Sequence, residues 1–273
     1  MNLHELLSVL SERQGSSLLL TAGATPRLRV NGALELLGDT PLERQQVRDL
    51  AYSVLTETQK DQFEQKGQLC CSFGIRGLSR FELTLFTQKA CVSALIKRFP
   101  LERPAPPSWV SDTLPWLDAG PGLVVVAGPV GSGRSTTLGW WVDHLNRTRQ
   151  VHILSVEETL TSLHAHALGV VEQIELGPDM PAADALQFAG RAGADVVALD
   201  LATDELVAAV TVFSSGALVL AGLRAATVEA AAAAIAKALP RSCWRSLRGL
   251  VWRQTPASGT LLAGPPLEAL LTR

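Results

Sequence analysis

The octapeptide GPVGSGRS at residues 128–135 carries more chemistry than any other stretch of the chain. It matches the phosphate-loop spacing G-x-x-x-x-G-K-[ST] at every fixed position except the lysine, which is Arg134. Gly128, Gly131 and Gly133 allow a backbone to wrap closely around an anion, while Pro129, Val130 and Ser132 fill the variable positions. Arg134 supplies positive charge, Ser135 can place its hydroxyl on Mg²⁺, and Thr136 opens the segment that follows. Lysine delivers a compact ammonium between phosphates. A guanidinium is larger and planar, so it must displace a phosphate, a water or the loop itself. The backbone cradle survives this exchange, and turnover is the property placed at risk.

Such a loop needs a strand before it and a helix after it, so that N–H groups and the helix dipole converge on the phosphate. The sequence supplies both, as the apolar run GLVVVAG and the helix-like TTLGWWVDHLNR. The strand-like VHILSVE then brings Glu157, and ADVVALD ends at Asp200. With GALVLAGL and VEAAAAAIAKALP the alternation continues, which predicts a parallel sheet covered by helices. Residues 206–223 are uncharged and nearly long enough to span a membrane, but Ser214, Ser215 and Gly216 divide them into a short helix and a short buried strand.

The first hundred residues have a different texture. Leu3, Leu6, Leu7 and Leu10 recur at helical spacing, and SLLLTAG and RLRVNGALELL read as strands with a hairpin turn at Asn31 and Gly32. Residues 41–67 form one polar amphipathic stretch, and CCSFGI, LSRFELTLF and CVSALIKRF are three further strands. An α+β arrangement of a sheet with flanking helices follows. Four prolines in FPLERPAPPSWV mark an extended connection, giving domains at 1–98 and 111–273 joined by a linker at 99–110. A length of 273 residues suits two domains.

Hydrophobic residues make up 47% of the chain, enough for packed cores, and a formal charge of -2 excludes a generally basic nucleic-acid coat protein. Cys70, Cys71, Cys91 and Cys243 lack C-x-x-C spacing and read as reduced thiols of a cytoplasmic protein. The opening MNLHELLSVLSERQG has no apolar core of signal-peptide length. His164 and His166 form an H-x-H without a third ligand nearby. With His144 and His152 they read as exposed loop histidines. Arg241, Arg245, Arg248 and Arg253 read as an interface face rather than a nucleic-acid patch.

Taken in order, these segments resemble the PilT family of pilus-retraction motors, within the type II and type IV secretion ATPases. SLLLTAGATPRLRVNGAL is similar to the family's opening strand and hairpin, LSRFELTLF to its arginine-bearing strand, and GPVGSGRSTTL to its phosphate loop. HILSVEETLTSLH resembles its acidic box, with Glu157 on the glutamate and Glu158 on the aspartate. The resemblance implies an N-terminal PAS-like α+β domain and a RecA-like P-loop domain, whose mainly parallel sheet is flanked by helices. It further implies a cytoplasmic hexamer that binds ATP and Mg²⁺ between subunits and acts on an inner-membrane pilus or secretion platform protein. No nucleic-acid partner is implied.

Several family positions are altered. The family's catalytic glutamate is missing, and either Asp200 takes its place or Leu201 occupies the slot with Asp200 one position before it. Arg224 stands where the family has a histidine, as a phosphate-neutralising cation or as a surface arginine. Arg80 matches the first interface arginine, but Glu82 replaces the second. Lys97 is the ungapped match to another interface arginine, and Arg98 is its neighbour. Near the C-terminus, PLEALLTR resembles a retraction-linked segment with Glu268 in place of its arginine. The losses fall on residues that drive or sense hydrolysis, which points to a degenerate member that binds nucleotide and hydrolyses it slowly or not at all, as a homo-oligomer or in a mixed ring with an active homologue. An active motor with substituted catalytic residues and a nucleotide-free scaffold are the alternatives.

Overall fold

The computed structural model describes residues 2–100, 102–177, 180–200 and 216–272. The chain divides into two compact units, Met1–Glu102 and Arg103–Arg273.

In the first unit, α1 (Leu3–Glu12) buries Leu3, Leu6, Leu7 and Leu10, and a capping box between Asn2 and Glu5 satisfies its first N–H groups. Strands β1 (Ser17–Thr21), β2 (Arg27–Val30) and β3 (Ala33–Leu36) follow. Residues 41–67, expected as one amphipathic stretch, contain two helices, α2 (Arg44–Tyr52) and α3 (Glu57–Lys66). The break has a local cause. Thr56 and Gln59 form a second capping box, in which the Thr56 hydroxyl accepts from the Gln59 N–H at 3.3 Å and so starts a new helix. Strands β4 (Gln68–Ile75), β5 (Ser79–Gln88) and β6 (Cys91–Phe99) complete an antiparallel sheet of order β3-β2-β1-β6-β5-β4. Alternate residues Phe81, Leu83 and Leu85 of β5 point into the core of this unit, as a half-buried strand requires.

The second unit opens with a 3₁₀ turn, Ser108–Thr113, and the short α4 (Leu114–Asp118). Next come β7 (Gly122–Gly128), α5 (Arg134–Thr148), β8 (His152–Glu157), β9 (Val170–Glu175), α6 (Ala182–Arg191), β10 (Val196–Asp200) and β11 (Leu218–Arg224). After β11 stand the helix Val228–Ala238, β12 (Leu247–Trp252), β13 (Thr260–Leu262) and a last helix, Pro265–Leu271. The sheet order is β13-β12-β7-β11-β10-β8-β9, parallel throughout except where β13 pairs with β12. Every residue of β7 is buried, because hydrophobic cores cover both faces of the sheet. One core includes Leu138, Trp141, Val142 and Leu145 of α5, and the other takes in residues of α6 and of Val228–Ala238. Part of the 206–223 stretch is the buried strand β11, while 206–215 lies outside the described residues. No helix among the described residues is long and apolar enough to cross a membrane.

Candidate functional site

Four parallel strands end together. In register, Gly128 of β7 stands beside Arg224 of β11, while Gly222 of β11 aligns with Asp200 of β10 and Asp200 with Glu157 of β8. The carboxyl ends of a parallel sheet are where such folds place ligands. Here they bring the loop, both predicted acidic residues and Arg224 to the same end of one sheet.

The loop turns between β7 and α5, with Gly131 at φ 79° and Gly133 at φ 91°, a region that side-chain-bearing residues avoid. Gly133 is the N-cap of α5 and supplies no side-chain hydrogen bond. The first intrahelical bond runs from the Thr137 N–H to the Gly133 carbonyl at 3.0 Å. By helix geometry the N–H groups of Arg134, Ser135 and Thr136 precede it and lack an intrahelical acceptor. Two side-chain atoms nearby are also buried and unpartnered among the described residues, Ser132 Oγ and Arg134 Nη1. Buried polar groups are normally hydrogen-bonded. Donors gathered at a helix N-terminus fit a phosphate group. At the loop's rim Val130 is 76% exposed.

Burial pushes the Arg134 guanidinium below its ordinary range, Asp200 and Glu158 oppose that shift, and Arg224 adds to it. Arg134 therefore stands in the field of both predicted acidic segments. A small cavity of about 10 Å³ lies next to the loop, lined by Ser135, Ser155, Glu157, His164 and Asp200 among others. That is room for roughly one water. Glu157 is held there by the Ser155 hydroxyl, which donates to its Oε1 at 2.9 Å, and by the Gln173 amide at 3.3 Å. Burial raises its carboxyl above the usual range, and the charge of Asp200 raises it further. Three serine hydroxyls and two carboxylates around so small a space suit a held water. Leu201, the other candidate for the catalytic slot, lies outside the described residues.

Other expectations change. His164 is not an exposed loop histidine, for its side chain is only 3% exposed. Its Nδ1 pairs with Asp143 Oδ1 at 2.6 Å, and Arg103 hydrogen-bonds both Asp143 and, at 2.6 Å, Ser162. His144 lies on α5 and His152 on β8, whereas His166 is exposed. Arg253 does not belong to an interface face, since it is completely buried. In the first unit, Arg80 donates to Ser72 Oγ at 2.5 Å, and Glu82 pairs with Lys97 at 2.8 Å across β5 and β6. Arg98 donates to the Gly15 carbonyl at 2.8 Å.

Residues 110–237 match the sequence profile of the family described as type II/IV secretion system protein. The chain is 32% identical over 230 residues to the type IV pilus retraction ATPase PilT of Pseudomonas aeruginosa, covering 82% of this chain and 66% of that one. It is likewise 32% identical over 183 residues to the type IV pilus ATPase PilU of the same organism, covering 66% of this chain and 47% of that one. The chain thus spans somewhat less than two thirds of the first relative's length and about half of the second's. Among solved structures it is similar to the pilus retraction motor PilT with bound ADP, with a TM-score of 0.85 at 28% identity, covering 100% of this chain and 86% of that chain.

Proposed function

The chain belongs to the type II/IV secretion system protein family and is PilT-like over most of its length, and on that premise we propose that it is a nucleotide-binding pilus or secretion ATPase with impaired hydrolysis. The reading is carried by the open N-terminus of α5, where Ser132 Oγ and Arg134 Nη1 are buried without partners beside a glycine loop. In this reading the loop N–H groups and Arg134 donate to the phosphates of ATP, and Ser135 holds Mg²⁺. Glu157 and Asp200 orient a water in the adjoining cavity. When bound, Mg-ATP supplies the phosphoanhydride bond. Hydrolysis is weakened because Arg134 replaces the compact lysine and Asp200 has a shorter reach than glutamate. The Glu82–Lys97 pair adds to this, since it occupies a cation that would otherwise serve a neighbouring subunit's phosphates.

The assembly follows the same logic. We take it to be a homo-oligomer, a hexamer, or a mixed ring with an active homologue, at the cytoplasmic side of an inner-membrane platform protein. A working motor is the second reading. It is favoured by one observation, that Asp200, Glu157 and Ser135 line a single cavity.

Calorimetric titration with Mg-ATP, run beside a phosphate-release assay and an Arg134→Ala control, separates these. Binding with release no faster than the control's supports impaired hydrolysis. Release that the substitution abolishes restores the motor, and absence of binding overturns both.

A further inference from the structure

Arg253 lies just beyond β12 and beneath the phosphate loop. Its backbone N–H donates to the Ala127 carbonyl at 2.8 Å, which ties it to the end of β7. A Cβ built on Gly133 would come within 3.1 Å of its Nη2 and 3.2 Å of its Cζ, so the guanidinium rests directly against the loop. Nη1 donates to Thr137 Oγ1 at 2.6 Å, and the Thr137 hydroxyl donates in turn to the Gly133 carbonyl at 2.9 Å. Nη2 reaches the carbonyls of Thr255 and Pro256. The rings of Trp109 and Trp140 flank the cation at 4.9 and 5.5 Å.

These contacts satisfy hydrogen bonds without neutralising charge. Arg253 is 0% exposed and its Nε has no partner among the described residues. No described carboxylate acts on it, and burial alone shifts its protonation downward. A buried cation without a counter-ion is costly, and aromatic faces offset only part of that cost. Such an arrangement persists where an anion completes it. The nearest feature built for anions is the loop on which the guanidinium rests.

We infer that Arg253 is a fixed cation of the phosphate site, and that the polyphosphate seated on residues 128–135 is its counter-ion. The inference rests on the nucleotide-binding reading above. Arg253 acts through Gly133 and Thr137 as a positioning and charge-supplying residue. It restores from below the loop some of the positive charge that the Lys-to-Arg change at position 134 misplaces.

Binding of inorganic pyrophosphate and of ADP to the full chain, followed by calorimetry and by ligand-induced thermal shift, tests the inference with Arg253→Lys and Arg253→Met. Arg253→Lys keeps the charge without the planar fork, and Arg253→Met keeps the stem without the charge. The expected result is at least a tenfold loss of affinity for both ligands in Arg253→Met, with Arg253→Lys within about threefold of the parent, tenfold being about 1.4 kcal/mol. If Arg253→Met does not fold, Arg253→Gln provides the neutral variant. A neutral variant that binds as tightly as the parent overturns the inference. So does a lysine variant that loses as much as the methionine one, since hydrogen-bond geometry rather than charge would then be the cause. A parent chain that binds neither ligand instead defeats the nucleotide-binding reading itself.

Discussion

Glu157 and Asp200 meet across adjacent strand ends, and Glu157 does not ionise freely. A carboxyl raised by burial and by a like charge holds its proton more tightly folded than unfolded. Its contribution to stability is therefore complete below the unfolded value near 4.5 and is lost as pH rises through the raised folded value. Glu157→Gln should raise the melting temperature of the nucleotide-free protein at pH 7 by about 2–4 °C, a gain that disappears on acidification below about pH 4.5. Scanning calorimetry across pH checks this, and a loss of stability at pH 7 would mean that the carboxylate is better stabilised than its surroundings indicate. Arg134→Lys should raise phosphate release by about tenfold or more, because the compact ammonium fits between phosphates. An unchanged rate would show that residue 134 does not limit hydrolysis. Both positions were legible in the sequence, since a phosphate loop needs glycines at fixed spacing and an acidic strand end follows it. Arg253 was not. It meets Thr137 and Gly133 through the fold alone, and its local sequence WRQT carries no signal of burial.

Helix α5 carries more than the loop. The partly exposed Asp143 of α5 binds Arg103 and His164, which fastens the segment after Glu157 onto the helix. Burial would raise the Asp143 carboxyl, but the His164 hydrogen bond and the Arg103 charge outweigh it and hold the carboxyl below the usual range. The stability gained is present above about pH 4 and is lost as pH falls further. Asp143→Asn should cost about 2–3 kcal/mol at pH 7, read from urea unfolding, because it leaves Arg103 without its anion in a mostly buried place. It should also speed proteolytic cleavage between residues 158 and 169. An unaltered urea midpoint would show that the clamp is dispensable. Elements with a strong period or an apolar run, such as α1, β7 and β11, could be read from sequence. Strands β9 and β12 and helix α6 could not, because β9 is a half-exposed edge of mixed polarity, β12 is broken by Gly249, and α6 is short and alanine-rich.

At the scale of the molecule, each unit has its own sheet and core, and all of the loop chemistry lies in Arg103–Arg273. Calorimetric unfolding of the whole chain should show two transitions, with ADP raising the midpoint of the one that belongs to Arg103–Arg273. Equal shifts in both would contradict a ligand site confined to the second unit. The two-part layout was legible from the proline run and from the change of texture at residue 100, whereas the pairing of Glu82 with Lys97 required the strand register. The most direct test of the nucleotide site is amide hydrogen exchange with and without Mg-ADP. A nucleotide seated on residues 128–135 should slow exchange at residues 129–137 and around Arg253. Unchanged exchange there, with or without protection elsewhere, would contradict that site.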